Sequence, residues 1–366
     1  MPTTLHRDLP LPDTPEEITA SWLTAALERG YPGVAVEAVE PGEQLWGTGT
    51  KLKFAVRYNA AGRAAGLPER LVVKGCFAPH RQANAYLYLT EARTYSEILP
   101  QAGIRVPPCF FSGTDARNLQ SIVLLEDLGA AGVTFARVQQ PLTFRQAADN
   151  LAEQARLHAR WWNHPALEDP GALGWLPRLL PISDDESGAY GRGQLAPEVY
   201  AHYMTLPRGV GVSTKFHDRD RMQRALAALG EFDRQGPMCL LHSDAHLGNM
   251  YFTRDGAPGF LDWQCPRIGP WSHDVVYFIV SALDIADRRH WDAALLQHYL
   301  GCLAGLGVAA PSFEEAWEAY RRQIVYGLFY WLVNPVEWQV EVNNCAVASR
   351  FAIAALDVGS YEALGV

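Results

Sequence analysis

The sequence has fewer basic residues than acidic ones. Its 366 residues include 31 lysines and arginines against 40 aspartates and glutamates, so the formal net charge is −9 and the pI is about 5.7. A protein that binds nucleic acid presents a basic face, because lysine and arginine make most of the phosphate contacts. The charge balance therefore argues against nucleic acid as a partner.

Long apolar runs are also missing. The longest, from Ile324 to Val333, has about half of the ~20 residues that a transmembrane helix needs. The first 17 residues are acidic and proline-rich, and no basic segment leads into an apolar one. The sequence therefore predicts neither a membrane span nor a secretory signal.

The cysteines form no recognisable pair. Six of them are scattered along the chain without a CxxC motif, at positions 76, 109, 239, 265, 302 and 345. This distribution is typical of reduced, mostly buried thiols rather than of a disulfide framework. It predicts a cytoplasmic protein.

The chain is rich in apolar residues: 48% of its residues are hydrophobic and 11% are aromatic. From Val34 to Lys74 apolar and polar residues alternate as in half-buried antiparallel strands, and a helix over about 82–98 and further strands near 109–113 and 121–125 follow. Later segments are mostly periodic as helices. We therefore predict an α+β, two-lobed fold, with a small antiparallel-sheet lobe over 1–126 and a larger, mainly helical lobe over 127–366.

The residues most informative about function lie between Leu241 and Trp263. Asp244 is followed five residues later by Asn249 and thirteen residues after that by Asp262, which ends an apolar run. A carboxylate that orients a hydroxyl, together with two oxygen ligands for Mg²⁺, is what phosphoryl transfer to an alcohol requires. A single such residue in a turn more often caps the backbone, but the spacing of all three favours a catalytic Asp244 with Asn249 and Asp262 as metal ligands.

This stretch resembles the signature H-x-D-x-H-x-G-N, followed by D-W, of the aminoglycoside phosphotransferase and choline kinase superfamily, and within it the ecdysteroid-kinase-like bacterial branch. The resemblance extends over about 40–280. It implies a bilobal protein-kinase-like fold, ATP or GTP with Mg²⁺ as cofactors, and a small-molecule hydroxyl as acceptor. Trp263-Gln264 stands where protein kinases have Phe-Gly, which favours a small-molecule kinase over a protein kinase.

The resemblance also implies nucleotide-binding residues in the first lobe. Lys74, which ends Leu71-Val72-Val73, would reach the α- and β-phosphates. Glu91 on the following helix would pair with Lys74, whereas the competing carboxylate Glu97 would point to another face. The backbone of Glu126-Asp127-Leu128 would bind the adenine.

A glycine-containing turn precedes the second strand of this lobe. Gly47-Thr48-Gly49 fits a hairpin over the phosphates, where bare backbone can approach closely. It lacks the full G-x-G-x-x-G pattern, so an ordinary hairpin turn is an equal alternative. A non-catalytic nucleotide-binding protein of the same fold is a further alternative, which the joint presence of the lysine, glutamate and motif residues argues against.

Other polar residues near the motif have more than one interpretation. His242, Asp244 and His246 are possible ligands of a metallohydrolase zinc site, but neither a third nearby histidine nor HExxH accompanies them. In the kinase interpretation His242 supports the catalytic loop and His246 flanks the substrate or metal. We expect Asp274 to cap a helix start and His158 to be a core histidine.

The acceptor is the least determined part of the prediction. Phe329-Tyr330-Trp331 would spread over about 200° of a helix, more than one narrow core face accommodates, so we expect some of these rings to line a pocket. An aminoglycoside or choline-type cation calls for clustered carboxylates, and the acidic cluster over 314–318 follows Ser312 as helix capping would place it. We therefore favour a neutral, partly apolar alcohol, keep the cationic substrate as the alternative, and leave the oligomeric state open.

Overall fold

The computed structural model describes residues 4–46, 49–77, 81–182 and 188–366, without the side chains of 81–84. Gly47 and Thr48, two of the predicted phosphate-contacting residues, lie outside the described residues. The chain forms two compact units. The first contains the described residues up to Thr134 with Tyr251–Asp255 and Gly259–Cys265, and the second contains Phe135–Met250, Gly256–Pro258 and Pro266–Val366.

The first unit is built on a six-stranded sheet. Its strands are β1 (Leu5–His6), β2 (Val36–Leu45), β3 (Thr50–Tyr58), β4 (Arg70–Gly75), β5 (Cys109–Asp115) and β6 (Gln120–Glu126). They follow the order β1-β5-β6-β4-β3-β2, and all neighbours are antiparallel except β1 and β5. The helices are α1 (Ala20–Glu28), α2 (Ala60–Ala64) and α3 (Arg81–Arg93), and α3 continues as a π-helical turn over Thr94–Ile98.

The alternation in β3 divides the sheet into an apolar and a polar face. Leu52, Phe54 and Val56 are buried in one cluster with Leu71 and Val73 of β4. Successive side chains of a strand point to opposite faces, so the intervening lysines of β3 and Lys74 of β4 lie on the other face. The apolar pattern that builds the core thereby also places Lys74.

The second unit is mainly helical. Its helices are α4 (Phe144–Arg160), α5 (Ala189–Gln194), α6 (Pro197–Thr205), α7 (Pro207–Val210), α8 (Arg219–Asp233), α9 (Ser272–Ala282), α10 (Ile285–Gly305), α11 (Phe313–Leu332), α12 (Glu341–Val358) and α13 (Ser360–Ala363). Every residue of α9 is buried, because α4, α10, α11 and α12 pack around it. In the described part of the chain, no helix is both long and apolar enough to cross a membrane.

Short strands carry the motif that the sequence analysis singled out. β8 (Met238–Leu241) pairs antiparallel with β11 (Arg267–Pro270). Between them in sequence come β9 (Met250–Phe252) and β10 (Pro258–Phe260), and β7 (Thr134–Phe135) lies earlier, where the chain leaves the first unit. The predicted α+β class, with an antiparallel sheet first and helices second, is confirmed.

Candidate active site

The predicted site residues fall into two groups, one in each unit. In the first unit Lys74 Nζ lies 2.7 Å from Glu91 Oε1 and 2.7 Å from Asp262 Oδ1. Lys74 and Glu91 are buried, whereas the Asp262 side chain is 30% exposed. The competing carboxylate Glu97 instead forms an ion pair with Arg93 at 2.8 Å. Lys74 is therefore clamped between two carboxylates, one of which still reaches solvent.

Both carboxylates of this triad stabilise the charged form of Lys74. Burial by itself lowers the pKa of Lys74, but the charges of Asp262 and Glu91 outweigh burial and raise it to about 12. Burial raises the pKa of Glu91, and Lys74 acts in the opposite direction. Lys74 is consequently a cation at neutral pH. An ammonium group has three donors, and the two carboxylates occupy two of them.

The backbone around Asp262 is fixed by its neighbours. Asp262 has a φ of +59°, in the left-handed region that side chains other than glycine rarely adopt. Trp263 is fully buried and packs edge-on against Phe260, with ring centroids 6.4 Å apart. Gln264 Nε2 donates to Glu91 Oε2 at 3.4 Å. Large buried rings on both sides thus hold Asp262 in a turn that an isolated peptide would not favour.

Lys51 lies next to this triad but is not among the residues that the sequence predicted for the site. Lys51 lies directly opposite Lys74 in the β3–β4 pair, so both lysines share the polar face of the sheet. Burial and the charge of Lys74 lower the pKa of Lys51, while Asp262 and Glu91 act against them. The alternation in β3 could have shown that Lys51 faces away from the core, but not which residue of β4 it faces.

Gly49 leaves no room for a side chain beside the triad. A Cβ at this position would lie 2.8 Å from Gln264 Nε2 and 2.9 Å from Lys74 Cε. The backbone at Gly49 therefore lies closer to the Lys74 side chain than any residue with a Cβ would permit. A stretch of backbone without a side chain, next to the buried ammonium group of Lys74, is suited to contact a nucleotide phosphate.

The predicted adenine-binding residues lie at the end of β6. Glu126 is its last residue, and its N–H donates to the Pro108 carbonyl at 3.0 Å. Leu128 is buried in the turn that follows, where its carbonyl accepts the Val133 N–H at 3.2 Å. Their role in adenine binding stays a prediction.

The second unit contains Asp244 and Asn249. Asn249 Nδ2 donates to Asp244 Oδ2 at 2.8 Å and to the Asp244 carbonyl at 2.9 Å. Because the Asn249 amide nitrogen donates to Asp244, the amide oxygen points away from Asp244. An amide oxygen is a ligand that hard cations such as Mg²⁺ accept. The Asp244 side chain is 40% exposed, and His246 Nε2 lies 3.8 Å from its Oδ2. The local spacing of the motif has thus brought a catalytic candidate and a metal-ligand candidate together.

Asp274 holds the loop that carries Asp244. Its carboxylate accepts the backbone N–H groups of His242 at 2.7 Å and of Ser243 at 2.9 Å. His158 Nε2 lies 3.4 Å away on its other side. The expectation that Asp274 caps a helix is wrong, because both of its oxygens are directed to the loop. The sequence pattern did not indicate this contact, because the residues lie about thirty positions apart.

The loop conformation needs such support. Ser243 has a φ of +68°, and the buried His273 donates from Nε2 to its carbonyl at 3.0 Å. A non-glycine residue in this region costs about 1–3 kcal/mol unless the surroundings hold it there. Burial opposes ionisation of Asp274, but the hydrogen bond and charge of His158 outweigh it and keep its pKa below the ordinary value. An ionised Asp274 therefore fixes the loop next to Asp244.

The chemistry of the donor set fits Mg²⁺ better than zinc. Among residues 4–46, 49–77, 81–182 and 188–366, no group of three or more His, Cys, Asp and Glu side chains is arranged to hold a metal ion. Mg²⁺ does not need such a cage, because it is bound through one or two protein oxygens together with substrate phosphates and water. The carboxylate of Asp262 in the first unit and the amide oxygen of Asn249 in the second are each oxygen ligands of this kind, and their role in metal binding stays a prediction.

Comparison with known proteins defines the class. The model of the phosphotransferase enzyme family matches residues 110–312, more than half of the chain. The chain therefore belongs to this family, and the predicted class, a small-molecule phosphotransferase, is confirmed. A comparison with curated proteins gives no match.

Among the similar solved structures, one has a TM-score above 0.5 and supports the fold. An ethanolamine kinase from Plasmodium vivax is 11% identical, with 92% of this chain and 86% of that chain covered and a TM-score of 0.53. A choline/ethanolamine kinase family protein from Mesorhizobium loti is 16% identical over 94% and 98% of the two chains, with a TM-score of 0.48. A thermostable mutant aminoglycoside phosphotransferase with ADP and hygromycin B is 15% identical over 92% and 99%, with a TM-score of 0.46. The family match confirms the predicted superfamily, the ethanolamine kinase structure supports the predicted kinase-like fold, and the ecdysteroid-kinase-like branch stays a prediction.

Proposed function

We propose that the protein transfers the γ-phosphoryl group of ATP, bound with Mg²⁺, to a hydroxyl of a neutral, partly apolar alcohol. The observation that carries this proposal is the ion-pair triad of Lys74, Glu91 and Asp262. The third donor of the Lys74 ammonium is suited to a phosphate oxygen. GTP would satisfy the same contacts, since they concern phosphates and not the base.

Two oxygen ligands are proposed for the metal. Asp262 would contribute a carboxylate oxygen, because Lys74 contacts its Oδ1 and the side chain is still 30% exposed. Asn249 would contribute its amide oxygen, because its nitrogen is turned to Asp244. When bound, Mg²⁺ would neutralise charge that develops on the phosphates during transfer.

Asp244 is proposed to orient the alcohol. A positioned carboxylate that accepts the proton of the attacking hydroxyl contributes about 10²–10⁴ in rate. The hydrogen bond from Asn249 fixes the orientation of this carboxylate, and Asp274 fixes its loop. The chain thereby supplies a rigid acceptor for the hydroxyl proton.

A neutral acceptor is favoured because the acidic cluster at the start of α11, the one that the sequence suggested for a cation, has other partners. Glu315 forms a capping box with Ser312, with N–H···O distances of 2.9 and 3.2 Å. Glu318 forms an ion pair with Arg321 at 2.6 Å. These contacts assign Glu315 to the helix start and Glu318 to an ion pair, as helix capping predicts, and this supports a neutral acceptor over a polycation.

The test is phosphorylated product formed from a panel of neutral alcohols, sugars, amino alcohols and aminoglycosides. Asp244→Asn should lower kcat by about 10²–10⁴ while ATP binding is retained. Asp149→Asn, which changes an exposed aspartate on α4, is the matched control. Substantial residual turnover in Asp244→Asn would sink the assigned role.

A further inference from the structure

Ser243, the residue before the proposed catalytic carboxylate, has both of its backbone groups bonded to one helix. Its N–H donates to Asp274 Oδ1 at 2.9 Å, and its carbonyl accepts from His273 Nε2 at 3.0 Å. His273 and Asp274 are consecutive residues in the first turn of α9, and both are buried, as Ser243 is. This pair of contacts is called the α9 clamp below.

The α9 clamp acts on a strained part of the backbone. Ser243 has a φ of +68°, in the left-handed region where a Cβ crowds the following carbonyl and where such a residue stays only if its surroundings hold it. Its N–H belongs to the peptide plane before the residue, and its carbonyl belongs to the plane after it. Because the clamp bonds one group of each plane, it fixes both backbone dihedral angles of Ser243.

The donor of the clamp, His273, is held in place by two tyrosines. Its ring stacks on Tyr277 with centroids 5.6 Å apart and meets Tyr326 edge-on at 4.4 Å. Burial lowers the pKa of His273, although the charge of Asp274 and the hydrogen bond to Ser243 act against this. The imidazole is therefore neutral at neutral pH and carries one proton. Because Nε2 faces a carbonyl oxygen, which can only accept, that proton is on Nε2.

The clamp lies directly next to the bonds that shape the catalytic loop. The N–H of Asp244 donates to His242 Nδ1 at 3.3 Å, and its carbonyl accepts from the His246 N–H at 2.9 Å and from Asn249 Nδ2 at 2.9 Å. These bonds join residues of the loop to one another. The clamp attaches the loop to a fully buried helix one residue before Asp244, so a rotation at Ser243 would displace the carboxylate.

We propose that His273 is a positioning residue: by donating to the Ser243 carbonyl it holds, together with Asp274, the strained backbone that orients Asp244 towards the acceptor hydroxyl. It acts through the loop and not through contact with a substrate. The inference rests on the proposed function, because Asp244 is taken as the group that receives the hydroxyl proton. The opposing interpretation is that the His273 ring only fills space between Tyr277 and Tyr326.

Two replacements of His273 separate its hydrogen bond from its packing. In His273→Gln the side-chain amide still has an N–H to donate to the Ser243 carbonyl, whereas His273→Leu fills the space without a donor. His217→Leu is the matched control, because His217 Nε2 lies 2.9 Å from the Gly209 carbonyl in the same unit. Neither residue of that pair belongs to the loop or to α9.

The kinetic result should differ between the two His273 variants. His273→Leu should lower kcat by about tenfold, the effect of one buried carbonyl left without its donor, with the KM for ATP unchanged. His273→Gln should keep most of the wild-type kcat, and His217→Leu should lower the melting temperature without changing kcat. Equal kcat values for His273→Leu and His273→Gln would overturn the proposal, because the bond would then have no effect of its own.

A replacement of Ser243 tests whether the clamp acts against backbone strain. Glycine adopts a positive φ freely, so Ser243→Gly removes the strain that the clamp opposes. The double variant of Ser243→Gly and His273→Leu should therefore recover most of the kcat that His273→Leu loses, which is a non-additive result. Additive effects of the two replacements would contradict a clamp on a strained residue.

Hydrogen exchange without substrates separates this proposal from the proposed function. Amides of residues 242–249 should exchange faster in His273→Leu than in the wild type, His273→Gln and His217→Leu, because the loop opens more often. If they do not, the clamp is refuted, even if Asp244→Asn abolishes turnover and the proposed function holds. If Asp244→Asn keeps its turnover, the proposed function fails while the exchange result still decides the clamp.

Discussion

Lys51 and Lys74 face each other across β3 and β4, on the same face of the sheet as Glu91 and next to the Asp262 carboxylate. Two like charges directly opposite one another destabilise a strand pair. The lowered pKa of Lys51 reflects burial first and this repulsion second. A bound polyphosphate would relieve the repulsion, because its negative charge interacts favourably with both ammonium groups.

Replacing Lys51 should therefore weaken nucleotide binding selectively. Lys51→Met is expected to raise the KM for ATP by about tenfold, the effect of one lost charge-assisted contact, and to leave the KM for the acceptor unchanged. Steady-state kinetics with each substrate varied in turn measure both. Lys53→Met is the control, since Lys53 lies on the same face but pairs with Glu43 at 2.8 Å. Equal effects of the two variants would show that Lys51 has no special role.

Adding a methyl group at Gly49 should disturb the triad. In Gly49→Ala the new Cβ meets Lys74 and Gln264 below 3.0 Å, so one of them must move. A misplacement on the order of 1 Å at a catalytic site costs up to about a hundredfold in rate. We expect a lower kcat/KM for ATP with a fold that is intact by circular dichroism. Gly30→Ala, where a Cβ would meet nothing within 4 Å, should behave as the wild type.

Removing the charge of Asp274 should loosen the catalytic loop. Asparagine has one acceptor oxygen and one donor nitrogen, so Asp274→Asn leaves one of the two N–H groups at His242 and Ser243 without an acceptor and the other with an uncharged one. Hydrogen bonds to charged groups contribute about 1.5–3 kcal/mol, and we expect a loss of this size in the free energy of unfolding, measured by urea denaturation. The kcat should fall while the KM for ATP stays constant. A variant with wild-type kcat would show that the loop holds without this carboxylate.

Asp233 should make the stability depend on pH. It is buried, and burial raises its pKa to about 7, although the hydrogen bond from Gln323 and the charges of Arg234 and Arg322 act against this. Its Oδ1 accepts from Gln323 Nε2 at 2.6 Å, while its Oδ2 has no partner among the described residues. The folded state therefore holds a proton that the unfolded state releases near pH 4.

Because the folded pKa is raised, the free energy of unfolding should fall as the pH rises from about 4 to about 7 and then level off. The full difference is up to about 4 kcal/mol. Asp233→Asn, which mimics the protonated form, should flatten this dependence and be more stable than the wild type at pH 8. Urea denaturation at pH 5 and pH 8 measures both. Parallel curves for the two proteins would contradict the assignment.

Local relationships were predictable from the sequence because they depend on nearby residues. Asn249 follows Asp244 by five positions, and one short turn is enough to bring the two side chains into contact. The alternation of β3 predicted a half-buried strand, and Leu52, Phe54 and Val56 of that strand lie in the core. The capping box of Ser312 and Glu315 was likewise readable from a four-residue pattern. The order of an antiparallel sheet followed by helices was predictable because the spacing of apolar residues changes from alternation to helical periodicity along the chain.

Relationships between distant segments required the tertiary structure. Asp262 reaches Lys74 from 188 positions away, a contact that neither composition nor spacing indicates. Strand register placed Lys51 opposite Lys74, and helix packing turned Asp274 to the catalytic loop instead of to its own helix. The pocket expected from the consecutive rings of α11 stays a prediction, and only folding stacked Tyr190 on Tyr330. The sequence by itself determined which chemical groups this phosphotransferase has, and the packing of distant elements decided which of those groups face one another.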